Sequence, residues 1–178
     1  MRLIKVTAVK ASDEIVKKLN LEPHPIEGGY FAETYRSAVS IPVNCLPAGY
    51  SGARRITTAI YYLITPDSFS RMHRLNSDEI FHFYCGDPVE MLQLMPGGSS
   101  KILKLGNDII NGVYPQIVVP RGVWQGARLC LGGKYALMGT TVSPGFDYSD
   151  YEIGKRDFLI KEYPEDRSRI IDFTIENA

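Results

Sequence analysis

The sequence predicts an all-β fold of short antiparallel strands, a barrel or a sandwich, with a short N-terminal helix and a helical C-terminal tail. Three observations predict it. Runs of β-branched and aromatic residues recur between positions 30 and 142. Turn signals separate those runs. The composition is turn-rich and aromatic, with 16 Gly, 11 Pro, 11 Tyr, 7 Phe and 1 Trp in 178 residues.

The elements follow in order. Arg2 to Val9 reads as a strand able to pair with a partner's sheet. Residues 12–19 read as a helix: Ser12 stands where it can cap, Asp13 and Glu14 fall in the first turn, and Lys17 and Lys18 in the last. Ile15, Val16 and Leu19 give its apolar face, and Pro23 and Pro25 stop it. Strands are predicted over 30–36, 57–64, 79–84, 89–95, 117–119 and 135–142. The turns between them are Asp87-Pro88, Pro96-Gly97-Gly98, Asn111-Gly112 and Gly132-Gly133. Residues 155–163 and 168–173 are helix-like, interrupted by Pro164.

At this length one domain over 1–178 is expected, burying about 70% of its unfolded surface without a disulfide or metal. Twenty Lys and Arg balance 20 Asp and Glu. This zero net charge removes the general attraction that binding to a nucleic-acid polymer needs. A membrane span needs about 20 consecutive apolar residues, and the sequence has no such run. The first ten residues are broken by Lys5 and Lys10 and lack the apolar core of a secretory signal. Cys45, Cys85 and Cys130 are odd in number and far apart, so three reduced thiols buried as small hydrophobes and a cytoplasmic location are expected, with no zinc site.

Chemistry concentrates around the three histidines. On alternating strands Arg71, His73 and Leu75 share one face and Glu79, Phe81 and Phe83 share another, while His82 points away, to a second sheet or a partner subunit. His73 beside Glu79 fits a general base oriented by a carboxylate, or else a hydrogen-bonded interior pair. His24, before a Pro and a Gly pair, fits a loop anchor. Gln125 and Trp124 fit a hydrogen-bonding edge with a stacking face, or core packing. Arg36 fits a clamp on a carboxylate or phosphate, or a paired structural arginine. Arg54-Arg55 reads as a solvated pair. Residues 96–101 form a hairpin turn rather than a phosphate loop, and dinucleotide and serine-hydrolase fingerprints are missing.

His73, Glu79 and Gly86, followed by Pro120-Arg121-Gly122, resemble the two motifs of the cupin superfamily. The segments His24-Pro25-Ile26-Glu27-Gly28-Gly29-Tyr30, Tyr35-Arg36-Ser37, Asp78 through Tyr84, Trp124-Gln125 and Thr141 through Phe146 are similar to one subgroup, the cupin-5 family, domain of unknown function 985. The likeness runs from about His24 to Pro164. It implies a double-stranded β-helix, a jelly-roll barrel of the RmlC-like kind, paired as a homodimer. It also makes the proton-transfer chemistry of sugar isomerases and epimerases, a His base with a carboxylate and a Tyr acid, the natural enzymatic reading. Cupins that hold a metal supply three His and one Glu. Here Leu75 and Gln125 replace two of the imidazoles, a poor donor set for zinc, copper or iron.

The expectation is therefore a metal-free, cofactor-free cupin binding a small polar ligand such as a sugar, nucleotide or nucleobase. His73 and Glu79 are the catalytic candidates, and Gln125, Arg36 and Trp124 the ligand-binding ones. A metal-dependent cupin enzyme and a binding module without turnover are the alternatives.

Overall fold

The protein, described by a computed structural model over residues 10–176, is built mostly from strands. Arg2 to Val9, read above as a strand, lie outside the described residues. A first helix, α1 (Ala11–Leu19), leads into β1 (Glu22–Pro23), β2 (Tyr30–Arg36) and β3 (Ser40–Ile41). Then come β4 (Arg54–Arg55), β5 (Thr58–Ile64), β6 (Ser70–Leu75), β7 (Asp78–Gly86), β8 (Val89–Leu94) and β9 (Ser100–Leu105). The last strands are β10 (Gln116–Val119), β11 (Trp124–Leu129), β12 (Ala136–Ser143) and β13 (Tyr151–Ile153), followed by α2 (Arg156–Glu162) and α3 (Arg167–Asp172).

Two sheets carry the fold: six strands in the order β1-β2-β5-β12-β7-β10, and five in the order β13-β6-β11-β8-β9. Every ladder is antiparallel. Among the described residues no ladder joins the two sheets, so the barrel is open and the arrangement is a sandwich. Where β9 and β10 approach, the connection turns through a 3-10 segment at Ile109–Asn111, and pairing is limited to one bridge between Leu105 and Tyr114.

Side-chain alternation divides the space between the sheets into two ends. At one end Tyr62, Phe81, Met91, Leu105, Ile117 and Met138 from both sheets form a buried apolar core. At the other end the same strands present Thr58, Glu79, His73 and Thr140, which line a cavity. The outer face of the five-stranded sheet is covered by the tail, where Met72, Leu92, Leu94 and Trp124 pack against Leu159, Ile170 and Phe173.

The tail is also tied to β6 through the backbone. The register between β11 and β6 shifts between Gln125 and Ala127, a bulge that leaves Met72 without a partner on β11. Its N–H donates to the Phe173 carbonyl at 2.9 Å, and its carbonyl accepts from the Gly154 N–H at 2.7 Å. Gly126 fits this bulge because a Cβ there would sit 2.9 Å from Met72 Sδ and 3.1 Å from the Ser70 carbonyl.

Four local expectations are corrected. The first helix begins at Ala11 behind Lys10, with no side-chain cap, and Ser12 is buried inside it. The helix ends at Asn20 in the left-handed conformation (φ 50°), ahead of the prolines. Arg54 is not solvated. It is 5% exposed, and its Nε and Nη2 donate to the two carboxylate oxygens of Asp150, itself 7% exposed. A buried charge is tolerated only with such a partner. Cys45 and Cys85 are exposed rather than buried, and Cys130 is half-buried. The two-residue strands β1, β3 and β4, and β9, β11 and β13, were not predicted, whereas the helical tail falls where expected.

Phe173 is 1% exposed. Phe173→Ala should lower stability by about 3–5 kcal/mol through lost burial and the cavity left behind, measured by urea unfolding. A change under about 1 kcal/mol would show that the tail is not part of the cooperative unit.

Candidate functional site

The cavity opens between the two sheets at the polar end. Its volume is about 100 Å³, room for about three waters or one small ring. β6 supplies His73 and Leu75, β7 supplies Glu79, β12 supplies Thr140 and Val142, and β2 supplies Phe31, Glu33 and Arg36. Gln125, paired in register with His73, comes from β11. Glu27 and His24 enter from the loop before β2. That loop turns at Gly28 (φ +102°), where the backbone runs close against the Phe69 carbonyl and a side chain would not fit.

His73, Glu79 and Gln125 meet in one buried cluster, at 2%, 7% and 1% exposure. The His73 Nδ1 lies 2.7 Å from the Arg71 carbonyl. A carbonyl only accepts, so Nδ1 carries a proton, and in the neutral ring the Nε2 lone pair is the acceptor. The Gln125 side-chain amide fills it, donating from 2.6 Å. The same amide nitrogen donates to Glu79 Oε2 at 3.2 Å. Glu79 Oε2 and Glu27 Oε2 lie 4.0 Å and 3.7 Å from His73 Nε2. Glu27 is held from its other oxygen by the Ser70 hydroxyl. Tyr151 stacks on the His73 ring, with centroids 4.9 Å apart and planes 21° apart.

Among the described residues two buried side-chain polar atoms lack a hydrogen-bond partner, the Gln125 amide oxygen and the Tyr151 hydroxyl. Neither residue is among those that line the cavity.

Burial pushes the Glu79 carboxyl up to about 7, with the Glu27 charge adding to the rise and His73, Thr140 and Gln125 opposing it. Burial likewise pushes the Tyr151 phenol up, so it stays protonated, and it pulls His24 down.

The remaining candidates are distributed as follows. Arg36 lines the cavity, but its guanidinium is held by Glu33, with Nε at 2.9 and 3.1 Å from the two carboxylate oxygens. A register shift in β2 between Glu33 and Tyr35 turns both side chains to the same face. Trp124 is not brought to the cavity. It precedes the inward-facing Gln125 on one strand and so points outward, against Phe158 and under the Arg74 guanidinium at 4.4 Å. His82 points away from the cavity, contacting Thr141 and Gln116 on its own sheet. His24 Nδ1 accepts the Glu27 N–H at 2.9 Å, which holds the loop, and its ring also lines the cavity. Glu27 and Tyr151 received no role from the sequence. Glu27 stands in a quoted motif, and its inward turn is signalled only by the Gly pair that follows.

Glu79 makes stability depend on pH. With an ordinary value of 4.5 raised to about 7, the folded chain holds a proton that the unfolded chain releases between those values. Stability therefore falls as pH rises through that window and levels off above it. Glu79→Gln should flatten this slope, removing about 1–3 kcal/mol of the difference between pH 5 and pH 8 in chemical denaturation. An unchanged slope would place Glu79 in water rather than in the cluster.

Comparisons with known proteins bear on the family and the fold. A family described as cupin superfamily, DUF985, matches residues 13–154. An uncharacterized protein of Saccharomyces cerevisiae is 35% identical over 144 residues, 76% of this chain and 71% of that one. The solved structure of a hypothetical protein from Leishmania major superposes with a TM-score of 0.83 at 31% identity, covering 93% of this chain and 99% of that one. Oxalate decarboxylase from Bacillus subtilis shares the fold more distantly, with a TM-score of 0.52 at 12% identity over 89% of this chain and 38% of that one. The chain belongs to the DUF985 family of the cupin superfamily.

Proposed function

We propose that this cupin binds a small polar ligand in the cavity beside His73, Glu79 and Gln125, and that isomerase- or epimerase-type proton transfer is the chemistry the site supports best. The observation that carries the reading is a buried histidine, His73, and a buried carboxyl that titrates near neutrality, Glu79, side by side in the cavity wall. Of the ligand classes considered, a sugar or nucleobase-sized ring suits a cavity of about 100 Å³ better than a whole nucleotide. Glu79 carries the proton, because its carboxyl lines the cavity and changes state near pH 7. His73 Nε2 becomes a base only when the ligand takes the Gln125 amide from it. Tyr148 is the tyrosine that lines the cavity and could reach a ligand as the acid, whereas Tyr151 stacks on His73 and holds its ring. Arg36 is a rim contact rather than a free anion clamp.

The family's metal positions do not fit an ion in this chain. Leu75 presents hydrocarbon, and the Gln125 amide is turned to donate to His73 and Glu79, whereas a metal site converges lone pairs. Glu27 adds a carboxylate, yet among the described residues no three His, Cys, Asp or Glu side chains are spaced to hold an ion. The proposal is thus metal-free and cofactor-free. Elemental analysis of untagged protein should find no stoichiometric transition metal. One ion per chain, lost in His73→Ala, would favour the metal-dependent alternative instead.

The proposal includes a homodimer, because Tyr35, Tyr84 and Val118 on the six-stranded sheet are exposed. It also includes a cytoplasmic location without nucleic-acid or membrane partners. No described helix is long and apolar enough to cross a membrane.

A thermal-shift panel of monosaccharides, nucleobases and nucleotides tests the ligand reading. At least one member should raise the unfolding midpoint by about 2–5 °C at saturating concentration. Glu79→Gln should lose that shift while its own midpoint at pH 8 equals or exceeds the parent's. A lower midpoint with the ligand shift retained would make Glu79 structural and end the assignment.

A further inference from the structure

We infer that Asn111 is a site of spontaneous modification, where the side-chain amide is lost to the backbone that follows it and aspartate or isoaspartate is left in the loop between β9 and β10. Of the six asparagines in the chain, only Asn111 precedes a glycine. The chemistry turns on that neighbour. The backbone nitrogen after an asparagine attacks the side-chain carbonyl carbon, and a side chain on the following residue obstructs the approach. Gly112 brings none, and nothing lies within 4 Å of where its Cβ would stand.

The step balances without an oxidant or a cofactor. Hydroxide takes the Gly112 N–H proton, and a bond forms between that nitrogen and Asn111 Cγ. The Cγ–Nδ2 bond breaks, and ammonia leaves with a proton from water. Water then opens the five-membered imide ring at either carbonyl. One opening gives aspartate, and the other gives isoaspartate, with an extra methylene in the main chain. Either product adds one negative charge to a chain whose formal net charge is zero.

The turn that carries Asn111 is closed by local bonds alone. Its side-chain Nδ2 donates to Asp108 Oδ2 at 2.8 Å, and the Gly112 N–H donates to the Ile109 carbonyl at 3.1 Å, so both reacting groups are tied while the turn is closed. Residues 107–112 are all exposed, and Ile109 and Ile110 at the tip are 63% and 94% exposed. Opening the turn therefore uncovers no core, and such a segment opens at a far smaller free energy than the whole fold. The other asparagines lack this combination. Asn76 donates to the Gly49 carbonyl at 3.1 Å and is followed by buried Ser77. Asn20 is followed by buried Leu21, while Asn44 and Asn107 are exposed but precede Cys45 and Asp108. Conversion also has a structural consequence. A carboxylate then faces Asp108 where an N–H donor stood, and the two like charges repel. The Val113 N–H bond to the Asp108 carbonyl, which leads the chain on toward β10, is loosened with it.

Incubation of the folded protein at about pH 8, warmed but below its unfolding midpoint, tests the inference by ion exchange and peptide mapping. An acidic form should accumulate, with aspartate and isoaspartate at position 111 formed at least tenfold faster than at any other asparagine. Gly112→Ala should slow its appearance at least fivefold. Should that variant disturb the turn, Asn111→Gln carries the comparison: its longer side chain must close a six-membered ring, and the acidic form should vanish. Asn111→Asp, made directly, should exchange the Val113 amide hydrogen at least threefold faster than the parent, and equal exchange would overturn the loosening of the turn. An acidic form that persists in Asn111→Gln, or conversion that begins at another asparagine, would overturn the site itself. Conversion of Asn111 only after unfolding in urea would overturn it as well, because the native turn would then not open.

Discussion

A single amide group joins the two sheets at the polar end of the sandwich. The Gln125 side-chain nitrogen donates to His73, its neighbour on the five-stranded sheet, and to Glu79 on the six-stranded one. All three side chains are buried, so the two bonds form where water does not compete and each keeps most of its strength. They fix the imidazole plane, the carboxyl rotamer and the separation of the sheets at that point together. The stacked Tyr151 ring and the Ser70-held Glu27 are then placed around a histidine that cannot turn.

The sandwich can hold this polar cluster because the other end of the same strands does the stabilising. Along β7, Phe81 faces the apolar core and Glu79, two residues earlier, faces the cavity. Along β12, Met138 and Thr140 divide in the same way. A period-2 pattern that stays apolar for the length of a strand would fill the interior, and here it stops short. The dry end contributes burial at about 25 cal/mol per Å². The wet end costs stability, since a buried carboxyl raised to about 7 is a group the fold would be better without at neutral pH. Keeping such a residue in a cavity wall is what supports the proposed ligand site.

The sequence made much of this legible, and the misses share a cause. Predicted strands at 30–36, 57–64 and 89–95 lie within a residue of β2, β5 and β8, because β-branched and aromatic runs bounded by Gly and Pro leave little ambiguity. The spacing of His73 and Glu79 was enough to bring them to one place. Bulges defeated the rest. A strict alternation has no way to put Glu33 and Arg36 on one face, so the sequence left Arg36 between a clamp and a paired arginine, and the structure pairs it. β11 hid behind Gly126, whose small size serves the bulge that frees Met72 for the tail. Trp124 and Gln125 were assigned to one site although adjacent strand residues face opposite ways, a rule available from the sequence alone. Glu27 and Tyr151 come from a loop and a three-residue strand, where no periodicity exists to read.

The pairing of Arg36 with Glu33 bears on more than one arginine. An unpaired guanidinium at the rim would hold the cavity near neutrality and draw in carboxylates or phosphates by its planar fork. With Glu33 in the fork, that attraction is spent inside the protein, and what a ligand meets further in is Glu27 and Glu79 around a histidine. The bulge in β2 is what brings the two side chains together, so a backbone irregularity of one residue takes up the only guanidinium among the described residues that line the cavity.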